Sequence, residues 1–134
     1  MTSSIYFSVS CLPSTIRIYQ LRFPLTSPTI LCSTSLKDEY TVYKWEGEDD
    51  SLFETASIQF DPRRYHVVSI HEDCPGLDHI GIVYFLSGLF SKASIPILYV
   101  NTYAGNLIFI AEEHYKNALA IMKDCGSILW EMDV

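Results

Sequence analysis

The sequence predicts an α+β fold, with helices packed on one face of an antiparallel sheet. Over the second half of the chain, the predicted elements run strand, helix, strand, strand, helix, strand. Both helical segments carry a single apolar stripe, so each one buries one face. The first half shows alternating or β-branched stretches separated by turn residues, with little helical periodicity. These observations favour a sheet that is covered by helices on one side.

Three strands are predicted in the first half. Residues 16–21 alternate apolar and polar side chains, as a half-buried strand does. Residues 29–34 and 40–45 are rich in β-branched and aromatic side chains, and the polar turn Lys37-Asp38-Glu39 joins them. Residues 55–60 form another short strand or a connector.

Two segments break the pattern of the first half. The acidic run 46–50 contains Gly47, and we interpret it as a solvated loop rather than a cation site, because charge runs usually face solvent. Asp61-Pro62 marks a chain break. We therefore place a boundary here and predict two units, residues 1–60 and residues 61–134.

The second half begins with a strand over residues 65–70 and a loop over residues 71–79 that contains Pro75 and Gly76. A helix is predicted next, because apolar residues recur at helical spacing; they are Ile82, Leu86, Leu89, Phe90 and Ala93. A hairpin over residues 95–103 and 107–111 follows it. The last two elements are a helix, with its stripe at Tyr115, Ala118, Leu119 and Met122, and a closing strand over residues 127–130. This element order is the ferredoxin-like split β-α-β arrangement.

Composition excludes several classes of protein. Of the 134 residues, 49% are hydrophobic, which is enough for a core and argues against disorder. The net charge is −7 and the cationic residues are scattered, so we expect no nucleic-acid binding. The apolar stretch 81–90 is too short to span a membrane, for which about 20 residues are needed. The start of the chain lacks a basic leader and the four cysteines form no C-x-x-C pair, so we expect a cytoplasmic protein with reduced thiols.

The pattern Asp78-x-x-Gly81-Ile82, followed by Ala93-Ser94-Ile95-Pro96-Ile97 and Asn101-Thr102-Tyr103, resembles the ACT domain, a small ferredoxin-like module that binds amino acids. Residues 101–107, the apolar strand 108–110 and the pair Glu112-Glu113 are similar to the CASTOR-type branch of that family, which includes animal arginine sensors. Residues 30–42 resemble the first half of that branch. The resemblance implies two tandem ACT-like units, of which the first is incomplete, being degenerate or borrowing elements. It also implies a regulatory protein that is not an enzyme, pairs as a homodimer, needs no cofactor and acts on a regulatory protein partner.

The resemblance also implies a site for an amino acid or a similar small ligand. Free backbone N–H groups at the start of a helix attract a carboxylate, and Gly81 leaves room for close approach. The neighbouring strand end would offer polar side chains. The candidate ligand-binding residues are Asp78, His79, Ile80, Gly81, Ile82, Asn101, Thr102, Tyr103 and Asn106. Asn106 stands where the family carries an acid, and it brings no charge. A neutral ligand is therefore favoured over arginine.

Other functions stay open as alternatives. A module that kept the fold, lost the ligand and binds only proteins is one, because Asn106 replaces the acid. The loop from His71 to His79 holds two His, one Cys and three acids, but its spacing matches no known zinc site, so we expect no metal. A small enzyme is the remaining alternative, but no motif places Cys74 or Cys125 as a nucleophile, so we expect no catalytic residues.

Overall fold

The computed structural model describes residues 7–72, 79–101, 105–124 and 128–132. The chain divides into two compact units. We call residues Ser14–Tyr65 the first unit, and residues Met1–Pro13 with His66–Val134 the second unit. The division falls within the first strand, which therefore supplies residues to both. The two tandem ACT-like units with bounds at 1–60 and 61–134 stay a prediction.

The first unit contains most of β1 (Phe7–Leu21), together with β2 (Ile30–Leu36), β3 (Glu39–Trp45), α1 (Asp50–Ala56) and β4 (Ser57–Phe60). β1 pairs antiparallel with β3 and with β4, and β2 pairs antiparallel with β3. The strand order is therefore β2-β3-β1-β4. The strands predicted at residues 16–21, 29–34 and 40–45 are confirmed within one to two residues, apart from the earlier start of β1.

The core of the first unit lies between its sheet and α1. Tyr19, Leu21 and Val42 are buried on one face of the sheet, and Phe53 of α1 packs against them. The ring centroids of Tyr19 and Phe53 lie 5.7 Å apart. α1 was not predicted, because its seven residues bury only Phe53 and are too few to show a helical repeat. The acidic run predicted as a loop ends inside this helix, at Asp50.

The second unit has the predicted order of elements: β5 (Tyr65–Glu72), α2 (His79–Lys92), β6 (Leu98–Asn101), β7 (Asn106–Ala111), α3 (Glu112–Lys123) and β8 (Ile128–Met132). β5 lies between β1 and β7, and β6 pairs antiparallel with β7 at the sheet edge. β8 pairs parallel with β1, from Phe7 opposite Ile128 to Cys11 opposite Met132. The predicted α+β, ferredoxin-like fold is confirmed.

β1 is longer than the sequence predicted. It begins at Phe7 rather than Ile16 and passes through Pro13, which lacks a backbone N–H and is exposed. A proline inside a run argues against a strand, so the pattern alone placed the start of the strand too late in the chain. As a result, β1 lies beside β5 in the sheet, and β8 pairs with the opposite edge of β1.

One apolar cluster forms the core of the second unit, between its sheet and the two helices. Its buried members are Val9, Cys11, Val68, Ile70, Leu86, Phe90, Ile95, Ile108, Ile110, Ala118 and Met122. The predicted helix stripes supply Leu86, Phe90, Ala118 and Met122. The stripes therefore correctly predicted which helix faces are buried.

α2 ends in a Schellman motif. The N–H of Ile95 donates to the carbonyl oxygen of Phe90 over 2.9 Å, and the N–H of Ser94 donates to that of Ser91 over 3.1 Å. Ser94 has φ 57°, the left-handed conformation that glycine usually supplies at this position. The motif fixes the direction in which the chain leaves α2. The sequence predicted that the next strand would begin at Ile95, but β6 begins at Leu98.

Candidate ligand-binding site

Those predicted site residues that the structure describes belong to one end of the second unit. β5 ends there at Glu72, α2 begins at His79, β6 ends at Asn101 and β7 begins at Asn106. The strand beside β5 is β7, whereas β6 lies at the outer edge. The start of β7, and not the end of β6, is therefore the part of the hairpin next to β5.

Gly105 brings the hairpin directly against β5. A Cβ atom at this position would lie 3.3 Å from the carbonyl oxygen of Ile70 and 3.4 Å from Nδ1 of His71. Those separations are tighter than ordinary van der Waals contact, so a side chain there would force a neighbour to move. The lack of a side chain at Gly105 thus lets two backbone segments meet at the edge that precedes α2.

Asn101 and Asn106 face each other across the hairpin as paired residues. Side chains alternate along a strand, and Ile108 and Ile110 belong to the core, so Asn106 lies on the face covered by the helices. Asn106 is 3% exposed, while Asn101 is exposed. A buried carboxamide offers hydrogen-bond donors and an acceptor without charge. The structure therefore places a polar side chain at the end of an otherwise apolar core.

Of the other predicted site residues, four lie in α2 and three lie outside the described residues. His79, Ile80, Gly81 and Ile82 form the first four positions of α2, whose N–H groups lack intrahelical partners. The sequence predicted that His79 would belong to the preceding loop, but it is the first residue of the helix. Asp78, Thr102 and Tyr103 lie outside the described residues. Gly105, which lies between the two predicted strands of the hairpin, joins the set by its contact with β5.

His71 is a further polar residue at this end. From the sequence it was a candidate only for metal binding. The hydroxyl oxygen of Ser69 lies 3.1 Å from its Nε2. Val68 and Ile70 point into the core, so Ser69 and His71 lie on the opposite face of the sheet. The alternation of residues 67–71 was the signal that could have placed them. A hydroxyl–imidazole pair at the end of a strand is not by itself a catalytic site, because a catalytic base must be oriented by a third group.

The described cysteines do not have the character of nucleophiles. Burial raises the pKa of the Cys11 thiol, although a hydrogen bond with Tyr115 opposes the shift. Burial and the contact with Cys11 also raise the pKa of the Tyr115 hydroxyl, whose ring stacks on His66 with centroids 3.8 Å apart. Burial likewise raises the pKa of Cys32 in the first unit. Both thiols are free and protonated at neutral pH. Cys74 and Cys125 lie outside the described residues.

The part of the chain that the structure describes shows neither a cluster of metal ligands nor a membrane-spanning helix. There, no group of three or more His, Cys, Asp or Glu side chains converges as metal ligands would. The loop of residues 73–78 considered above lies outside that part. In the described ranges, no helix has both the length and the apolar character needed to cross a membrane.

Residues 62–124 match the family model of the ACT domain. The matched segment runs from the approach to β5 to the end of α3, and it contains the end of the second unit described above. The ferredoxin-like fold seen here is therefore the ACT fold. No curated protein is significantly similar to the chain in sequence.

Solved structures with the same fold support the assignment of the ACT fold. A protein of Agobacterium tumefaciens has a TM-score of 0.71 at 15% identity, covering 98% of this chain and 96% of that one. A Vibrio cholerae protein of unknown function, described as a possible transport protein, has a TM-score of 0.71 at 11% identity, covering 88% of each chain. A putative C-terminal regulatory domain of aspartate kinase from Porphyromonas gingivalis has a TM-score of 0.55 at 9% identity, covering 90% of this chain and 97% of that one.

Proposed function

We propose that this chain is a non-enzymatic regulatory protein that binds an amino acid, resembling the CASTOR-type ACT branch. The ACT match over residues 62–124 supports a regulatory role, since one protein of the same fold is described as a regulatory domain of aspartate kinase. Binding would act by favouring one association state or partner complex, which requires that the ligand bind the two states with different affinity. A homodimer in the cytoplasm, with a protein partner, belongs to the same proposal.

The observation that carries this proposal is the meeting of Gly105 with β5 at the edge where α2 begins. A ligand carboxylate would accept hydrogen bonds from the free N–H groups of the first turn of α2, over residues 79–82. Asn101 and Asn106 would supply polar groups from the hairpin. Asp78, Thr102 and Tyr103 complete the proposed set of contacts.

We propose a neutral polar amino acid as the ligand class. Asn101 and Asn106 carry no charge, and a carboxamide distinguishes polar ligands by hydrogen bonds rather than by a salt bridge. Arginine would leave its guanidinium without the acid that the resembling proteins place at the position of Asn106. The ligand's own carboxylate and ammonium groups would provide most of the charge in the complex.

A titration of the full chain with each of the twenty amino acids tests this proposal. We expect one or a few neutral amino acids to raise the melting temperature, because a ligand that binds only the folded state stabilises it. Calorimetry with the best ligand then compares Asn101→Ala with Asn117→Ala. Both side chains are exposed, but Asn117 lies on α3, away from the site. Asn101→Ala should weaken binding at least about fivefold, and Asn117→Ala should bind as the wild type does.

A second candidate function is a protein-interaction module that has lost its ligand. The 3% exposure of Asn106 favours it, since this side chain is already buried without a ligand. Under this proposal, a well-folded sample gives a flat response to all twenty amino acids. That outcome would reject amino-acid binding and retain the interaction module.

A further inference from the structure

We propose that the first unit carries a surface that binds a second copy of this chain. The surface is formed by Phe23, Leu36 and Ile58, and we call it the apolar end patch. These side chains are 53%, 67% and 52% exposed, respectively. All three line one cavity of about 410 Å³. Exposed apolar side chains are ordinary when scattered, but several that line one cavity indicate an interaction site.

The ends of three strands bring the patch together. Phe23 follows the end of β1, Leu36 is the last residue of β2, and Ile58 lies in β4. The pairing of Leu21 with Ser57 holds the end of β1 beside the start of β4. The ladder of the sheet therefore sets the positions of Leu36 and Ile58, and Phe23 lies two residues beyond the end of β1. Its three side chains are not members of the unit's own core, which lies around Phe53.

The charged residues at the rim of the apolar end patch indicate which kind of partner fits it. Arg22, Lys37, Asp38 and Glu39 line the same cavity, which gives two cations and two anions. Arg22, Lys37 and Asp38 form no ion pair with any other described residue. The chain as a whole carries a net charge of −7, so two copies repel each other in general. This rim is neutral, and two copies can approach each other there.

A two-fold interface places the same patch on both partners, so the patch must be complementary to itself. Equal numbers of opposite charges around an apolar centre meet that requirement, because cations of one copy can face anions of the other. A strongly basic or acidic partner would be matched by a rim of one sign instead. The balanced rim thus favours a second copy of this chain over a different protein. The inference names a contact surface for the proposed homodimer, and it holds whether or not the second unit binds an amino acid.

Sedimentation velocity of the full chain without ligand, over a concentration series, tests the surface. We expect a monomer–dimer equilibrium that Leu36→Lys weakens at least about tenfold. The matched control is Leu52→Lys on α1. Leu52 is 58% exposed, lies in the same unit and is not part of the patch, so this variant should dimerise as the wild type does. Circular dichroism checks that both variants are folded.

A charge exchange tests whether the partner is a second copy. Lys37→Glu should weaken the dimer, because the rim then has a net negative charge on both copies. The double variant Lys37→Glu with Asp38→Lys restores neutrality and should dimerise again. A wild type that stays monomeric, a dimer unaffected by Leu36→Lys, or equal losses in the Leu36 and Leu52 variants would each overturn the proposal. Amino-acid titration has its own readout, so either proposal can fail without the other.

Discussion

The side-chain nitrogen of Lys44 lies 2.7 Å from a carboxylate oxygen of Asp49, and this lysine is completely buried. It also lies 2.5 Å from a carboxylate oxygen of Asp50. Asp49 in turn accepts hydrogen bonds from the hydroxyls of Ser27 and Thr29 over 2.8 Å and 2.7 Å. The ion pairs of Lys44 therefore link β3 to the start of α1. The hydrogen bonds of Asp49 link the start of α1 to the segment that precedes β2.

Lys44→Met should destabilise the first unit by about 2–3 kcal/mol. The substitution keeps a long side chain but removes the cation, so two neighbouring carboxylates lose their shared partner. The expected loss is smaller than for a fully buried pair, because the side chains of Asp49 and Asp50 are 25% and 29% exposed. Urea unfolding measures the change in the free energy of unfolding.

Lys116→Met is the matched control for that substitution. Lys116 lies on the exposed surface of α3, so the same chemical change there should alter the free energy of unfolding by less than about 0.5 kcal/mol. If Lys44→Met were as mild as Lys116→Met, the buried ion pair would contribute nothing that a hydrophobic side chain cannot replace.

Acid should remove the contribution of Asp49 to stability. Burial alone would raise the pKa of this carboxyl, but hydrogen bonds from Lys44, Thr29 and Ser27 outweigh it and lower the pKa from 3.8 to about 2. The unfolded chain thus takes up a proton at higher pH than the folded chain does. The stabilisation is complete above pH 3.8 and is lost as the pH falls towards 2.

The pH dependence can be measured as the difference in unfolding free energy between wild type and Asp49→Asn. That difference should be about 1–2 kcal/mol near neutral pH and shrink between pH 4 and pH 2, because asparagine has no proton to gain. A difference that stays constant down to pH 2 would show that the folded and unfolded carboxyls titrate alike. Asp61, whose pKa is also lowered to about 2, is unchanged in both proteins.

Apolar periodicity predicted the second unit well. The stripes over residues 82–93 and 115–122 specified two helices and their buried faces, because each helix has only one neighbouring surface. The first unit was harder to predict. α1 has seven residues with a single buried side chain, and its start coincides with an acidic run that is typical of a loop. Local pattern gives no signal for an element that depends on one tertiary contact, here Phe53 against Tyr19.

The site was only partly predictable, since it depends on which strand lies beside β5. The sequence predicted that the strand end at Asn101 would lie beside the loop that precedes α2, but it did not predict that β7 is the strand beside β5. That order follows from long-range pairing, which the sequence of a single hairpin does not specify. The same limit explains Lys44. From sequence alone, a lysine in a strand is expected to face solvent. Lys44 is buried instead, because the fold places Asp49 and Asp50 next to its ammonium group.

Gly105→Ala should destabilise the second unit by about 1 kcal/mol. The added Cβ would lie 3.3 Å from the carbonyl oxygen of Ile70, a backbone atom that cannot rotate away. It would also lie 3.4 Å from the ring of His71, which is exposed and can turn aside. The backbone contact therefore decides the sign of the effect. Thermal or urea unfolding of the full chain measures it.

Gly88→Ala provides a control with the opposite expected sign. Gly88 lies inside α2, and an added Cβ would meet no described atom within 4 Å. Alanine has the higher helix propensity and loses less conformational entropy on folding, so this variant should be more stable by about 0.5–1 kcal/mol. If both variants gained stability, the approach of the hairpin to β5 would have room for a side chain at position 105.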